Sequence, residues 1–521
     1  MLVRLLLLAG FFVLTIFVGL YFRKRASSVN DFVLGGRSVG PWLSAFSYGV
    51  TYFSAVVFVG FAGQFGWRFG TAAVWIGLGN AFIGTLAAWF VLGRRTRVMT
   101  KHLKSATMPE FFGTRYMSSA LKIGAAIIVF VFLIPYTASL YNGLSRIFAM
   151  AFNVDFSICI IAMAALTAIF VVAGGYIATV VNDLIQGTVM LVGIVVIIAV
   201  VLNMNGGFMA AISSLANVQD PSVNPGAFTS FLGPDPMSLL GVIILTSFGA
   251  WGLPQMVARF YSIKNEKMIT KGAVVSTIFA LVIAGGSYFL GSFGRLYADD
   301  VAYNAENGRV IFDSIVPTML SQFSDVMIGL VIFMVFAASI STLSSLVMAS
   351  ASTLTLDFIK GHVVKKMDDK KQLICIRVLI VVFVVISSVI AISQYKSSVT
   401  FIAQLMGISW GALAGSFLAP FLYGLYWKRV SKASVWACFV FSTGLMVFHL
   451  IFKDAAFLSS NGFLSIFKSS INTGAFAMLA GLVIVPVVSM LTKAPDRATI
   501  DSHFSCYDET ENAKVSASLS N

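Results

Sequence analysis

Long apolar runs separated by short polar loops set the pattern of this chain. A helix needs roughly 20 mostly apolar residues to cross a bilayer core, and this criterion predicts about thirteen spans. One leading helix covers residues 2–21. Ten more cover 40–66, 71–92, 122–150, 156–175, 183–204, 237–261, 272–293, 325–359, 373–394 and 399–427, and two trailing helices cover 434–453 and 472–491. The polar stretch 494–521 reads as a disordered tail. Lys and Arg concentrate in alternate loops, at 23–25, 94–104, 264–271, 360–371 and 428–432, whereas 205–236 and 294–324 are neutral to acidic. Basic loops face the cytoplasm, which puts the N-terminus outside and the C-terminus inside, as an odd number of spans requires.

Composition agrees with the pattern. Hydrophobic residues make up 58% and charged residues 11%, against about 25% charged in soluble domains, so the fold class is an all-α integral membrane protein. A net charge of +14 in a soluble chain would suggest nucleic acid. Here the cations sit in loops beside apolar runs, and nucleic-acid binding is excluded. The cysteines Cys159, Cys375, Cys438 and Cys506 are scattered, with neither a disulfide frame nor metal-ligand spacing. The run "MLVRLLLLAGFFVLTIFVGLYFRKR" ends in Arg23, Lys24 and Arg25, without the small-residue site of a cleaved signal, and reads as a retained helix.

Two spans are unusual for lipid. "SAFSYGVTYFSAVVFVGFAG" carries hydroxyls and Gly49 in its middle, and "LTSFGAWGLPQMVARF" carries Gly249, Gly252 and Pro254. With the ten middle helices counted as five plus five, these are the first helix of each half. Interrupted helices in matching positions point to a midplane site in an inverted-repeat transporter, because broken backbone at that depth frees carbonyls that must bind something other than lipid. A third span, "FAASISTLSS" at 336–345, places Ser339, Ser341, Thr342, Ser344 and Ser345 within seven residues. Helical spacing puts Ala338, Ser341, Thr342 and Ser345 on one face, with Ser344 at its edge. Such a face suits either close helix packing or the oxygen ligands of a hard cation. Asp183 is a carboxylate beside an apolar run, either a functional charge or a helix N-cap.

The chain resembles the sodium/solute symporter family, which includes sodium/proline, sodium/pantothenate, sodium/galactose and sodium/sialic acid transporters. The matching stretches are "DFVLGGRSVGPWLSAFS" (31–47), "GGYIATVVNDLIQG" (174–187), "GLPQMVARF" (252–260) and "AASISTLSS" (337–345), in family order. The resemblance implies a leucine-transporter-like 5+5 inverted repeat with one leading and two trailing helices. Its units are a leading helix and basic loop (1–38), a first repeat (39–205), an extracellular loop (206–236), a second repeat (237–428), two trailing helices (429–493) and the tail (494–521). It implies a sodium site from the carbonyls of Val50, Phe53 and Ala338 with the hydroxyls of Ser341 and Thr342, and a second sodium at Asp183, Ser341, Ser344 and Ser345. Sodium is then the coupling ion, with no cofactor.

The solute is less legible. In the proline branch Ser54 and Tyr136 match solute contacts, whereas Thr246 and Ala250 replace that branch's aromatic residues, and Leu133 stands where the sialic acid branch has Arg. "NDLIQGTVML" and "GLP" look closer to the pantothenate branch. Tyr52, Gln64, Asn142, Trp251 and Gln404 could also face the pocket. Arg37 and Arg259 read as structural or gating ion-pair residues, His449 as interfacial, and Arg146 as a cation at a helix C-terminus. The expected function is sodium-coupled import of a small organic solute, an amino acid such as proline or a monocarboxylate such as pantothenate, across the cell inner or plasma membrane. Rival readings are a sodium/sugar symporter, a proton-coupled transporter using Asp183, and a transporter-like sensor. No nucleophile motif or phosphate loop supports an enzyme.

Overall fold

The structure, a computed structural model, describes residues 2–23, 28–152, 154–304, 308–364, 366–396, 402–459 and 462–519. Lys24 and Arg25 of the first basic loop, and the predicted start of the span 399–427, lie outside the described residues. The regular secondary structure of the described chain is helical, with only isolated bridges such as Val39 to Ile263 pairing extended backbone. Nine of its helices are long and apolar enough to cross a membrane, or ten when a bent pair is counted as one span.

Its helices include α1 (Leu2–Phe22), α2 (Pro41–Tyr52), α3 (Ala62–Phe69), α4 (Ser119–Phe152), α5 (Phe156–Met204), α6 (Pro236–Gly252), α7 (Pro254–Ser262), α8 (Phe312–Ser321), α9 (Asp325–Thr353), α10 (Asp369–Lys396), α11 (Ile402–Tyr426), α12 (Lys432–Phe452), α13 (Ser470–Leu491) and α14 (Arg497–Leu519). The core is built around α9 and α11. Helix α9 packs against α1, α4 and α5, and α11 packs against α4, α6, α12 and α13. Phe11 of α1 stands edge-on to Phe333 and Phe336 of α9, with ring centroids 5.2 and 5.9 Å apart.

Both helices expected to be interruptible are broken. After α2, Phe53 is extended (φ −110°, ψ 107°). The Ser54 carbonyl then accepts from the N–H groups of Val57 and Phe58, and its hydroxyl accepts from Val56 N at 3.3 Å. Ser54 thereby restarts the helix as an N-cap does. Between α6 and α7, Leu253 is extended (φ −84°, ψ 123°) and the axes differ by 46°. Pro254 explains this break, because its ring disfavours helical geometry in the preceding residue and it suits the first position of the next helix.

Three expectations change. The predicted loop between 175 and 183 is absent, because α5 breaks at one residue, Gly175 (φ 61°, ψ −160°), and resumes at once. Asp183 therefore lies about two turns inside a helix and is not an N-cap. The tail is not disordered over its described residues, where α14 buries Ile500, Phe504 and Cys506. Lys428 Nζ meets Asp501 at 2.7 Å, and the Arg95 guanidinium lies between the rings of Tyr426 and Tyr507, 4.1 and 4.5 Å from their centroids. His449 is buried rather than interfacial, with Nδ1 2.8 Å from the Phe467 carbonyl.

Candidate functional site

All five hydroxyls of the 339–345 run are buried, and they divide by partner. Ser339 and Ser344 donate to carbonyls four residues back in their own helix, Val335 and Ile340, each at 2.6 Å. The other three reach across the molecule. Thr342 Oγ1 lies 3.1 Å from the Ala338 carbonyl and 3.3 Å from the carbonyls of both Val50 and Thr51. The helical partners of those two α2 carbonyls would lie at Ser54 and Ala55, past the break. One hydroxyl has one proton. Three carbonyl oxygens therefore converge on a group able to satisfy one of them fully, leaving a small space rich in lone pairs. Val50, Ala338 and Thr342 meet as expected, while Thr51, not Phe53, supplies the other carbonyl beside Thr342.

A second cluster adjoins the first. Asp183 Oδ1 accepts from the Ser341 hydroxyl and Oδ2 from the Ser47 hydroxyl, and Arg259 Nη2 stands 3.6 Å from Oδ2. The same nitrogen donates to Thr51 Oγ1 at 2.6 Å and to the Ser345 hydroxyl. Ser345 also donates to the Ser341 carbonyl at 3.0 Å. Asp183, Ser341 and Ser345 are thus brought together, whereas the Ser344 hydroxyl is committed to its own helix. Ser47, Thr51 and Arg259 are members that the sequence analysis did not assign to this cluster. Their spacing offered one cue, since Ser47 and Thr51 lie one turn apart on the face that holds Val50.

An aromatic cluster flanks the first break. Tyr52 stacks on Trp410 (centroids 6.1 Å, 26°), and Tyr136 meets Trp410 edge-on (5.9 Å, 80°). The Tyr52 hydroxyl donates to the Thr246 carbonyl at 2.5 Å, tying the first broken helix to the second. Ser54 is fully buried at the break. Gly249 leaves room for the Trp410 ring, whose nearest atom would lie 2.5 Å from an added Cβ. Trp410 was not among the residues read as facing the pocket; it stands among Gly407, Gly411 and Gly415 on α11. Trp251 is directed elsewhere, donating from Nε1 to the Ile83 carbonyl at 3.0 Å. Gln64 and Asn142 each bury a side-chain oxygen without a hydrogen-bond partner. Gln404 is half-buried near the start of α11, six residues before Trp410.

Arg37 ties together segments away from the site, donating to the carbonyls of Tyr261 (3.2 Å) and Ser105 (2.6 Å). Burial lowers its guanidinium to about 10, so it stays charged at neutral pH. Arg146 does not cap α4, which continues to Phe152. Its Nε lies 3.7 Å from Asp313 Oδ2 on α8.

Comparison with known proteins places these features in context. The osmoregulated proline transporter OpuE of Bacillus subtilis (strain 168) is 27% identical over 492 residues, covering 94% of this chain and 95% of that protein. A sodium/proline symporter of Staphylococcus aureus (strain JH9) is 28% identical over 502 residues, covering 94% and 93%. Among solved structures, the substrate-bound outward-open state of a Na+-coupled sialic acid symporter superposes with a TM-score of 0.68 at 17% identity, over 95% of this chain and 99% of that one. The inward-facing conformation of Mhp1 gives 0.51 at 12% identity, over 89% and 94%. These two likenesses are of fold. Residues 32–440, most of the chain and both broken helices included, match the Sodium:solute symporter family, and the protein belongs to that family.

Proposed function

We propose that the protein imports a small neutral organic solute, proline or an amino acid like it, together with sodium, by alternating access. The observation that carries this reading is the meeting of the Val50, Thr51 and Ala338 carbonyls at the Thr342 hydroxyl. A hard cation takes oxygen ligands of this kind and would satisfy the lone pairs that one hydroxyl proton leaves over. Phe53 and Ser341 stand next in line as ligands. The solute lies at the first break against Ser54, Tyr52, Tyr136 and Trp410, with Gln64 and Gln404 toward its Arg146 side and Trp251 in a supporting position. Proline is favoured because both named relatives are proline transporters, and because the clustered rings of Tyr52, Tyr136 and Trp410 suit a compact, net-neutral solute.

The architecture assigned to this function has thirteen spans. Val56–His102 and Phe156–Met204, of 47 and 49 residues, each exceed twice the roughly 20 residues of one span, and Gly70 and Gly175 divide them. Adding the bent pair and α1 completes the count. Residues 39–205 and 237–428 form the two inverted repeats, and the basic loops put the C-terminus in the cytoplasm. Sodium entering first from outside favours the outward-open state, and its release inside frees the solute, provided the two affinities are reciprocally coupled.

The test is uptake of labelled proline, pantothenate and a sugar panel into proteoliposomes under an inward sodium or potassium gradient. Proline uptake that requires sodium and carries charge is expected. Uptake indifferent to sodium but driven by a proton gradient, and lost in Asp183→Asn, would replace this reading with proton coupling.

A further inference from the structure

Asp183 is fully buried on α5, and Arg259, only 2% exposed on α7, is its one cationic neighbour among the described ion pairs. Oxygens from three helices surround the guanidinium nitrogen Nη2: Thr51 of α2, Asp183 of α5 and Ser345 of α9. The flat guanidinium also lies over the Tyr176 ring, 5.2 Å from its centroid. Of the four residues that the family resemblance implied for a second sodium, two face this nitrogen directly. Ser341 spends its proton on Asp183, and Ser344 spends its own on Ile340.

We propose that Arg259 is a tethered cation that takes the place of a second sodium. Its guanidinium supplies the positive charge at Asp183, so the transporter binds and moves one sodium per solute, at the Thr342 site. This rests on the sodium-symport reading above and fixes its stoichiometry.

A buried carboxylate is tolerated when its charge is compensated and its lone pairs are bonded. Ser47, Ser341 and Arg259 together do both. A sodium ion placed on the same oxygens would set two like charges against one carboxylate and leave the pocket with a net positive charge away from water. Arg259 would first have to leave. Its backbone is held by α7, whose Ser262 hydroxyl donates to the Arg259 carbonyl at 2.9 Å. The cavity beside it, walled by Thr107, Gln255, Arg259, Ser345 and Ser352, measures about 40 Å³, room for roughly two or three waters.

Equilibrium binding of ²²Na⁺ to the detergent-purified full chain, with proline saturating, reads the number of sites. One site is expected for the wild type and for Arg259→Lys, which keeps the charge. Two are expected for Arg259→Gln, with the added site lost again in the double variant Arg259→Gln, Asp183→Asn. Two sites in the wild type would overturn the proposal whether or not any variant folds, as would a folded Arg259→Gln protein that still binds one ion. A wild type with no saturable sodium site would instead remove the symport reading, and this inference with it.

Discussion

Thr342 concentrates the case for sodium in one side chain. Its hydroxyl stands within 3.3 Å of three carbonyl oxygens from two helices. Polar contacts to a charged group contribute about 1.5–3 kcal/mol, or about ten- to a hundredfold in affinity. Thr342→Ala should raise the sodium concentration for half-maximal uptake by about that factor, and Thr342→Ser, which keeps the oxygen, by less than about threefold. Equal sodium dependence in both variants would exclude this hydroxyl as a ligand. The two tryptophans offer a second comparison at this scale. Trp410 touches both Tyr52 and Tyr136, whereas Trp251 bonds to the Ile83 carbonyl. Aromatic pairs contribute about 0.5–1.5 kcal/mol each. Trp410→Phe should therefore weaken proline binding about tenfold and Trp251→Phe less than about threefold, with both read by sodium-dependent binding of labelled proline.

Helix interruptions were legible because they have strong local causes. Pro254 disfavours a helical conformation in its predecessor, and the run Gly49 to Ser54 supplies a flexible residue before a ready N-cap. The break at Gly175 was placed with the wrong extent. Its cause is one glycine at positive φ (61°), which a window of about 20 residues cannot distinguish from a short loop. Asp183 consequently moved from a helix end to a helix interior. The tail was misread for the opposite reason. Ile500, Phe504 and Tyr507 follow the i, i+4, i+7 spacing of an amphipathic helix, a sparse stripe masked by polar composition. Partner choice among side chains was hidden altogether, since Arg259 lies 76 residues from Asp183 in sequence, the difference of their numbers. Close helix approach gives a prediction at this scale. A Cβ on Gly66 would lie 2.0 Å from the Gly291 carbonyl carbon, and one on Gly291 would lie 1.9 Å from the Ala62 carbonyl oxygen. Backbone cannot yield as a side-chain tip does. Gly291→Ala and Gly66→Ala should each destabilise the protein by about 1–3 kcal/mol or more, visible as a lower melting temperature in detergent. Gly10→Ala, with nothing within 4 Å, should melt as the wild type does, and three equal melting curves would refute the close crossing.

Coupling belongs to the whole molecule, because it requires that one side be shut while the other is open. One sodium moving down about 100 mV contributes about 2.3 kcal/mol, and a tenfold gradient adds about 1.4 kcal/mol. Together these sustain roughly 400-fold accumulation of a neutral solute, which fails if both sides leak at once. A tie that could close the side bearing the acidic loops is built on Asp313. This buried carboxylate on α8 accepts from Ile402 N, at the start of α11, at 3.3 Å and lies 3.7 Å from Arg146 Nε on α4. Three elements meet at one residue there, above the aromatic cluster formed by α2, α4 and α11. Burial pushes the Asp313 carboxyl above the usual carboxylate range, and the Arg146 guanidinium and Ile402 N–H oppose that shift. Removing the charge should release α8 and α11 and shift the population toward the state open on that side. Losing about 1.4 kcal/mol from the closed state corresponds to about a tenfold change in the open fraction. In Asp313→Asn, a cysteine at position 142, on α4 between Tyr136 and Arg146, should react about tenfold faster with a membrane-impermeant maleimide added outside intact cells. Under the alternating-access scheme proposed above, sodium should then accelerate labelling less than it does in the parent bearing Asp313. Unchanged labelling would show that the carboxylate only caps α11, and labelling confined to inside-out vesicles would invert the orientation assigned from the basic loops.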